Sequence, residues 1–289
     1  MNPNMKLFRM LFPGGLDRAL TLSYYDGVVQ DRRLAQICSE QGVKCTFNLN
    51  SGTLGRVETA TAPGREPLAI SCVTPEELQS VYAGHEVAGH GLWHSSLPDL
   101  GTPGAMYEII TDRANLETLS GGAVQSFAYP FGTFSEDVKT LLRLAGYRSA
   151  RTVRSTGAFA LPRDFLEWDP TCHHDDARLM ELTDRFCAGD FPRFAGAQLF
   201  YLWGHAYEFD ARHNWDVIER FLDRVAPLAD KVWFATNGEI VRYAEAYRAL
   251  VWSADGAAVT NPTATALWMG SGPDGVIELP AGASVRLLP

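Results

Sequence analysis

The chain has 289 residues, of which 46% are hydrophobic, and this is enough to bury one large core of the α/β class. A net charge of −9 without a basic cluster excludes nucleic acid and anionic membranes as expected partners. No stretch has the pattern of a membrane span or a signal peptide, and the five cysteines follow no Cys-x-x-Cys spacing. We therefore expect reduced thiols in a cytoplasmic protein.

Short β-branched or aromatic runs alternate with helical segments, which is typical of parallel βαβ units. The predicted strands are residues 19–24, 45–49, 86–89, 126–128, 147–150, 199–203 and 232–235. The predicted helices are residues 30–41, a helix that starts at Thr74, and residues 102–119, 134–144, 214–225 and 238–250. About seven βα units predict a nearly complete barrel, with a site at the carboxyl ends of its strands.

Two long connections interrupt this pattern at residues 51–73 and 151–198, and connections of this length often form the rim or lid of a site. We predict that the barrel occupies residues 1–250. The composition then changes to Gly, Pro, Ala and Thr with short alternating runs, which predicts a small β appendage over residues 251–289. Trp268 in this appendage fits a subunit contact or a sugar-binding face, so assembly into a homo-oligomer is left open.

Three potential metal ligands follow predicted strands. His90 and His94 are four residues apart after the third strand, and Asp26 follows the first. Two imidazoles and one carboxylate form a facial set with open positions for water and substrate, which suits Zn²⁺ and also Co, Fe, Mn or Ni ions. Pro130 and His205 also follow predicted strands, so these positions agree with one another. The sequence therefore predicts a divalent metal site, with Zn²⁺ as the first choice.

Four ordered motifs resemble those of the polysaccharide deacetylases of the NodB-homology type. That family carries Thr-Phe-Asp-Asp-Gly, then His-[Ser/Thr]-x-x-His, then a Pro-aromatic-Gly segment and a late Leu-x-His. The corresponding segments of this chain are Ser23-Tyr24-Tyr25-Asp26-Gly27, His90-Gly91-Leu92-Trp93-His94, Tyr129-Pro130-Phe131-Gly132 and Leu202-Trp203-Gly204-His205. In order and spacing they cover residues 20–235, which is most of the chain.

The resemblance implies a distorted (β/α) barrel that hydrolyses the N-acetyl group of a sugar, with a metal that polarises the amide carbonyl. It implies that His205 is the general acid toward the leaving amine. The expected partner is an N-acylated sugar or another small N-acyl compound. Residues expected to contact this substrate are Tyr129, Pro130 and Phe131 in the groove wall, with Trp168 and His174 in a loop where the family often adds auxiliary residues.

Two positions depart from the family pattern. Tyr25 stands where the family has its catalytic base, an Asp, and Ala128 stands where an Arg normally steadies that base. A phenol with a pKa near 10 is a poor proton acceptor at neutral pH. The two losses are coherent, because an Arg that orients an absent carboxylate has no role.

Three explanations of Tyr25 stay open. The metal's own water, or a side chain from the titratable loop 168–176, replaces the base. Alternatively, Tyr25 donates a hydrogen bond to the substrate in a changed reaction, or the protein binds a glycan or metabolite without turnover. The pair His173-His174 fits a solvated loop and a site role equally well, and residues 207–210 either orient His205 or form a solvated turn. We favour an active hydrolase, because the retained ligands and His205 would otherwise be idle.

Overall fold

The computed structural model describes residues 8–61, 67–192, 195–272 and 275–287. Its strands are β1 (Phe8–Leu11), β2 (Arg18–Tyr25), β3 (Thr46–Leu49), β4 (Thr59–Ala60), β5 (Leu68–Ala69), β6 (Glu86–Gly89), β7 (Ser126–Ala128), β8 (Ser149–Arg151), β9 (Cys172–His173), β10 (Gln198–Gly204), β11 (Val232–Phe234), β12 (Val251–Trp252), β13 (Ala258–Thr260), β14 (Leu267–Ser271), β15 (Gly275–Leu279) and β16 (Ser284–Arg286). Its α-helices are α1 (Asp31–Glu40), α2 (Leu78–Val81), α3 (Gly101–Ser120), α4 (Glu136–Leu144), α5 (Leu179–Ala188), α6 (Tyr207–Arg212), α7 (Asp216–Val225) and α8 (Asn237–Arg248). Within these ranges no helix has the length and apolarity needed to cross a membrane.

A curled parallel sheet forms the centre of the molecule. Its strand order is β8-β7-β6-β3-β2-β10-β9, and β11 pairs with the first half of β2. The register between β2 and β10 extends from Arg18 opposite Gln198 to Tyr24 opposite Gly204. All eight residues of β2 are buried, as expected for a parallel strand that is covered on both faces.

The two faces of β2 have different surroundings, because successive side chains of a strand point to opposite sides. Leu22 and Tyr24 belong to the larger apolar core between the sheet and the helices. Ser23 lies on the other face, where its hydroxyl accepts a hydrogen bond from Arg151 Nε at 3.2 Å. Tyr25 lies on that same face, so Ser23, Tyr25 and Arg151 form a partly polar group of side chains near the carboxyl end of β2.

Three small antiparallel sheets lie outside the parallel sheet in the described residues. In the first, which joins both ends of the chain, β1 pairs with β14, which in turn pairs with β15. Strands β12, β13 and β16 form the second, and β4 and β5 form the third. Tyr243 on α8 links the first sheet to the barrel, because its hydroxyl donates to the Leu11 carbonyl at 2.7 Å and accepts the Trp268 N–H at 3.0 Å. The proposed boundary at residue 250 stays a prediction, and the pairing of β1 was not expected.

The predicted α/β class and distorted (β/α) barrel are confirmed, since each of the seven predicted strands is present in the parallel sheet. The expected helix over 102–119 is Gly101–Ser120, ended by Gly121 in the left-handed conformation at φ 74°. The capping box predicted at Thr74 is present, but it opens one 3-10 turn and the short α2. Strand β9 and helix α5 lie unpredicted in connection 151–198, because β9 has two residues and α5 has no side-chain cap as a start signal.

Candidate metal-binding active site

Asp26, His90 and His94 meet at the carboxyl ends of β2 and β6. Asp26 is the first residue after β2, and its backbone N–H donates to the Asn48 carbonyl at 3.0 Å. His90 directly follows β6. Asp26 and His94 have φ values of 81° and 59°, a region that residues other than glycine rarely adopt. Such backbone conformations are concentrated at functional sites, and here two of the three predicted ligands have them.

The three side chains have the spacing of a metal-ligand set. Asp26 Oδ1 lies 3.5 Å from His90 Nε2 and 3.7 Å from His94 Nε2. Two ligands bonded at about 2.1 Å to one tetrahedral ion are about 3.4 Å apart. Asp26 Oδ1 and His90 Nε2 are both buried and have no hydrogen-bond partner among the described residues. Buried polar atoms without partners are costly, and one divalent cation bonded to both would satisfy them. The residues present therefore fit the expected metal.

The tautomer of His90 also suits a metal ligand. Its Nδ1 lies 2.7 Å from the Ala128 carbonyl, which can only accept, so Nδ1 carries the proton and Nε2 is left unprotonated. Burial lowers the pKa of His90 well below its ordinary value and also lowers the pKa of His94, so both rings are neutral. Ala128, which replaces the family's Arg, thus contributes its backbone to the orientation of a ligand.

Two carboxyl groups on α3 hold the loop that carries the histidines, and sequence reasoning missed both. Asp112 accepts the His90 N–H at 3.1 Å and the Ser51 N–H at 2.8 Å, and burial raises the pKa of Asp112 to about 7. One turn earlier, Glu108 accepts the Trp93 N–H at 2.9 Å. The spacing of four residues places Glu108 and Asp112 on one face of the helix, and this could be read from the sequence. The sequence does not show which loop that face contacts.

His205 lies beside this ligand set. Its Nε2 is 3.6 Å from Asp26 Oδ2, and its Nδ1 is 3.3 Å from Glu208 Oε2. The same oxygen of Glu208 accepts the backbone N–H of His205 at 3.1 Å. Burial acts to raise the pKa of Glu208, but His173 and His205 beside it hold that pKa well below its ordinary value. An ionised carboxylate therefore faces Nδ1 of His205, while Nε2 faces the ligand set.

Tyr25 packs against His205 and is 6% exposed. The two ring centroids are 3.8 Å apart, and the Tyr25 ring also stacks on Trp203 at 5.9 Å. Burial raises the pKa of Tyr25 above its ordinary value, although the Arg151 guanidinium acts in the opposite direction. The phenol therefore keeps its proton at neutral pH and is unsuited to act as a base.

Arg151 at the end of β8 supplies a buried cation next to Tyr25, and sequence reasoning missed it. Its guanidinium carbon lies 4.6 Å from the Tyr25 ring and 4.7 Å from the Trp203 ring, within the range of cation–π contacts. The side chain donates to Ser23 Oγ and, at 3.0 Å, to the Thr152 carbonyl, but its buried Nη2 has no hydrogen-bond partner within the described ranges. Arg151 thus places a positive charge beside Tyr25, where the family pattern has its base. The family pattern has an Arg at the position of Ala128, which carries no charge.

A cavity of about 350 Å³ opens beside the ligand set. Asp26, His94 and Tyr207 line one side of it. Described residues of connection 51–73 line the other side, among them Thr53 and Arg56, so this connection forms a rim. The size is that of a site for a small organic molecule.

The predicted substrate residues separate into exposed and buried groups. Phe131 is 63% exposed, and its ring lies 4.4 Å from that of His94. Tyr129 is buried, and its hydroxyl donates to the Leu166 carbonyl at 2.7 Å. Trp168 is also buried, with its ring 4.7 Å from that of Tyr201. This corrects the expectation that Tyr129 and Trp168 contact a substrate, because both rings are enclosed by the core.

Pro130 and His174 are buried as well. His174 lies behind His205, with its ring stacked 4.2 Å from Phe209, and it lines no part of the cavity described above. This corrects its assignment to the substrate groove. Trp93, which is 58% exposed, lies next to His94 in the chain.

Comparisons with known proteins agree with this geometry. Residues 16–150 match the family model described as polysaccharide deacetylase. This segment contains Tyr25 and the three predicted metal ligands and ends before His205. The resemblance suspected from the motifs is thus confirmed, and carbohydrate deacetylation is the activity of the family as a whole. No curated protein matches the sequence.

Solved structures show the same fold at low identity. A protein from Mycobacterium smegmatis assigned to the polysaccharide deacetylases is 17% identical, with a TM-score of 0.58 over 83% of this chain and 94% of that one. The Xyl-CE4 domain of a multidomain xylanase from the hindgut metagenome of Trinervitermes trinervoides is 14% identical, with a TM-score of 0.51 over 79% and 92%. A CE4 family pseudoenzyme from Bacillus anthracis is 15% identical, with a TM-score of 0.50 over 80% and 66%. The chain spans 44% of a Bacillus cereus polysaccharide deacetylase and 61% of a Streptococcus pyogenes deacetylase.

Proposed function

We propose that this protein is a metal-dependent hydrolase that removes an N-acetyl or related N-acyl group from a sugar or a small carbohydrate-like compound. The observation that carries the proposal is the convergence of Asp26, His90 and His94 on one point, with two buried ligand atoms that have no hydrogen-bond partner in the described part of the chain. We propose Zn²⁺ as the resident ion, because two neutral imidazoles and one carboxylate suit it. When bound, such an ion polarises the amide carbonyl and lowers the pKa of a bound water.

His205 is the side chain proposed to move protons. Its Nε2 faces the ligand set, and the ionised Glu208 faces Nδ1 on the opposite edge of the ring. This pairing orients the imidazole, as a carboxylate does for the histidine of a catalytic triad. His205 would therefore accept a proton from the attacking water at Nε2 and return it to the leaving amine. One residue would thus do the work that the family divides between an Asp and a His.

Tyr25 and Arg151 would act on the oxygen of the scissile carbonyl. Because the Tyr25 phenol keeps its proton, it is a hydrogen-bond donor and not a base. The Arg151 guanidinium behind the ring favours any negative charge that develops nearby. A donor and a fixed positive charge beside a developing oxyanion contribute to rate by electrostatic stabilisation.

The proposed substrate follows from the surroundings of the ligand set. The cavity beside Asp26 and His94 accommodates a small molecule, and the exposed ring of Phe131 packs against His94, which lines that cavity. Exposed aromatic faces next to polar groups suit the stacking of sugar rings. We therefore propose that a short N-acetylated saccharide is a better substrate than an N-acylated amino acid.

One observation favours a second candidate function, that of a catalytically impaired protein that binds a carbohydrate or metabolite. Tyr25 occupies the position of the family's base, and one of the similar folds is a CE4 family pseudoenzyme. In that case the metal ligands would serve to hold a ligand without turnover.

Acetate release from N-acetylglucosamine oligomers by the Zn²⁺-loaded protein separates the two functions. The hydrolase proposal expects release that requires metal and falls on Tyr25→Phe, because the phenolic donor is lost. The binding alternative expects no release by the natural chain, together with a rise of several orders of magnitude on Tyr25→Asp, which restores a carboxylate base.

A further inference from the structure

Four side chains form a second group of potential metal ligands on the far side of His205. We call His173, His174, Asp175 and Glu208 the loop cluster, since three of them lie at or just after β9, in connection 151–198, and the fourth lies on α6. One potential ligand atom from each lies within 4.8 Å of every other. We propose that the loop cluster binds a divalent transition-metal ion of the Zn²⁺ class through His174, Asp175 and Glu208. This site is separate from the ligand set at Asp26, and the inference does not depend on the proposed deacetylation.

The distances within the loop cluster match those of the first ligand set. His174 Nε2 lies 3.4 Å from Glu208 Oε2 and 3.5 Å from Asp175 Oδ1. These values are close to the ligand separation of about 3.4 Å expected around a tetrahedral ion with bonds of about 2.1 Å. One imidazole and two carboxylates make a donor set for Zn²⁺ or a similar ion, with positions left for water.

His174 is the observation that points to a ligand. The residue is 1% exposed, and neither of its ring nitrogens has a hydrogen-bond partner among the described residues. The ring is fixed between Phe209 and Tyr24, with centroids at 4.2 and 5.7 Å. A Cβ at Gly204 would overlap Nδ1, so glycine is required there for the ring to take this position. Nδ1 thus faces the backbone of β10, whereas Nε2 faces the two carboxylates.

His174 is also in the right protonation state. Burial, and next the neighbouring His173, lower the pKa of His174 to about 3, so the ring is neutral at physiological pH. A neutral imidazole with a free Nε2 lone pair is the form that binds a metal. Leaving both nitrogens of a buried histidine unsatisfied costs free energy, which a bond from Nε2 to a cation would offset.

Arg212 orients the two carboxylates without occupying the inner positions. It contacts Asp175 Oδ2, and it lies 3.5 Å from Glu208 Oε1. These are the outer oxygens, so Asp175 Oδ1 and Glu208 Oε2 remain directed toward His174. The formal charge of the two carboxylates and Arg212 is −1, which favours a divalent cation between them.

His173 is a positioning residue in this proposal. Its Nδ1 accepts the Asp175 N–H at 3.1 Å, so the hydrogen of the ring is on Nε2. That nitrogen lies 3.1 Å from Glu208 Oε2 and holds the carboxylate in place. Because the same carboxylate faces Nδ1 of His205, a metal in the loop cluster would also fix the orientation of His205.

Metal content after dialysis against buffered micromolar Zn²⁺ tests the proposal. The background variant carries Asp26→Asn and His94→Gln, which removes the first ligand set. We expect two equivalents of Zn²⁺ in the natural chain, one in the background variant, and none when Asp175→Asn is added to that background. Asp175 lies at the surface, so this last change is expected to leave the fold intact, which circular dichroism checks.

Asp176→Asn is the matched control. Asp176 is the next residue in the chain and pairs with Arg178, outside the loop cluster. Added to the background variant, it should leave one equivalent of Zn²⁺ bound. The inference is overturned if the background variant binds no Zn²⁺, or if it still binds one equivalent after Asp175→Asn. Neither result depends on acetate release, so the proposed hydrolase activity stands or fails separately.

Discussion

The two histidine clusters on either side of His205 contain similar atoms and differ in what holds them. In each, a buried histidine Nε2 that has no hydrogen-bond partner among the residues described lies about 3.5 Å from a carboxylate oxygen. At the first site, the ligands follow strands β2 and β6 and are fixed by the backbone and by α3. The loop cluster is built from residues after the two-residue strand β9 and from one short helix. Ligands on regular strands produce a motif that is visible in the sequence, whereas ligands in a long connection do not.

Charge compensation also distinguishes the clusters. Arg212 already pairs with both carboxylates of the loop cluster, and the first site has no ion pair to Lys or Arg within the described ranges. A cation beside the ligands opposes metal binding. We therefore expect the first site to bind Zn²⁺ more tightly and to lose it later when a chelator is added.

The largest expected effect comes from breaking the first site. Asp26→Asn removes the only carboxylate of that ligand set and should lower acetate release by about 1,000-fold, or about 4 kcal/mol in activation free energy. Steady-state assays at fixed free Zn²⁺ measure it. His85→Gln is the matched control, because the His85 ring accepts the Cys45 N–H and contacts the Ala35 carbonyl, away from either cluster. Equal losses in both variants would contradict the assignment.

Glu208→Gln tests the loop-cluster residue that also contacts His205. It should lower kcat by about 10- to 100-fold, because His205 loses the carboxylate that orients it, and change KM little. Glu219→Gln, which removes an exposed partner of Arg33, should leave both unchanged. A loss confined to KM would place Glu208 in substrate binding instead.

A smaller effect is expected at α3, which supports only the first site. Asp112 accepts the His90 N–H with one carboxylate oxygen and the Ser51 N–H with the other. Asp112→Asn leaves one acceptor oxygen, so one of these two hydrogen bonds is lost. Zn²⁺ affinity at the first site should fall by about 10-fold, in the range measured for groups that orient ligands. Competition with a chromophoric chelator measures this value. Affinity at the loop cluster should stay constant, and a parallel loss there would contradict the separation of the two sites.

The smallest effect concerns a buried carboxyl that faces no histidine. Burial raises the pKa of Asp31, although the hydrogen bond from the Tyr82 hydroxyl at 2.9 Å lowers it. Because the folded-state pKa exceeds the unfolded value of about 3.9, the contribution of Asp31 to stability is present below that pH and is lost as pH rises. Urea unfolding at pH 4.5 and 8 should therefore show Asp31→Asn stabilising the chain more at the higher pH.

Zn²⁺ content should not change in Asp31→Asn. Asp31 Oδ1 also lacks a hydrogen-bond partner, but among the described residues Asp31 belongs to no group of three or more potential metal ligands. If this variant loses a metal ion, then convergence of three ligands is not needed for a metal site in this protein. That result would contradict the criterion by which both clusters were identified.

Much of the fold and the centre of the site could be predicted from sequence. The alternation of strands and helices located all seven principal strands, and the strand-end positions of Asp26 and His90 identified the ligand set. Side-chain direction could not be predicted in the same way. Tyr129 belongs to the third motif and Trp168 begins the loop 168–176, yet their rings point into the core, because neighbours in a strand or loop face different sides.

Long-range contacts set the remaining limits. Arg151 follows a predicted strand, but its contact with Tyr25 depends on the curl of the sheet between β8 and β2. The pairing of β1 with β14 joins residues 8–11 to 268–271, and no local pattern encodes a contact over that separation. The loop cluster depends on both side-chain direction and a long-range contact. Glu208 lies close to His174 because tertiary packing places α6 next to the loop after β9.

Titration of the metal-free protein with Zn²⁺, followed by acetate release from an N-acetylglucosamine oligomer, tests the central claim most directly. The account predicts that release rises as the tighter site, formed by Asp26, His90 and His94, is filled, and that it reaches its maximum at one equivalent or, if the loop cluster aids His205, at two. The account is contradicted if Zn²⁺ binds at this site while acetate release stays at the level of the Asp26→Asn variant.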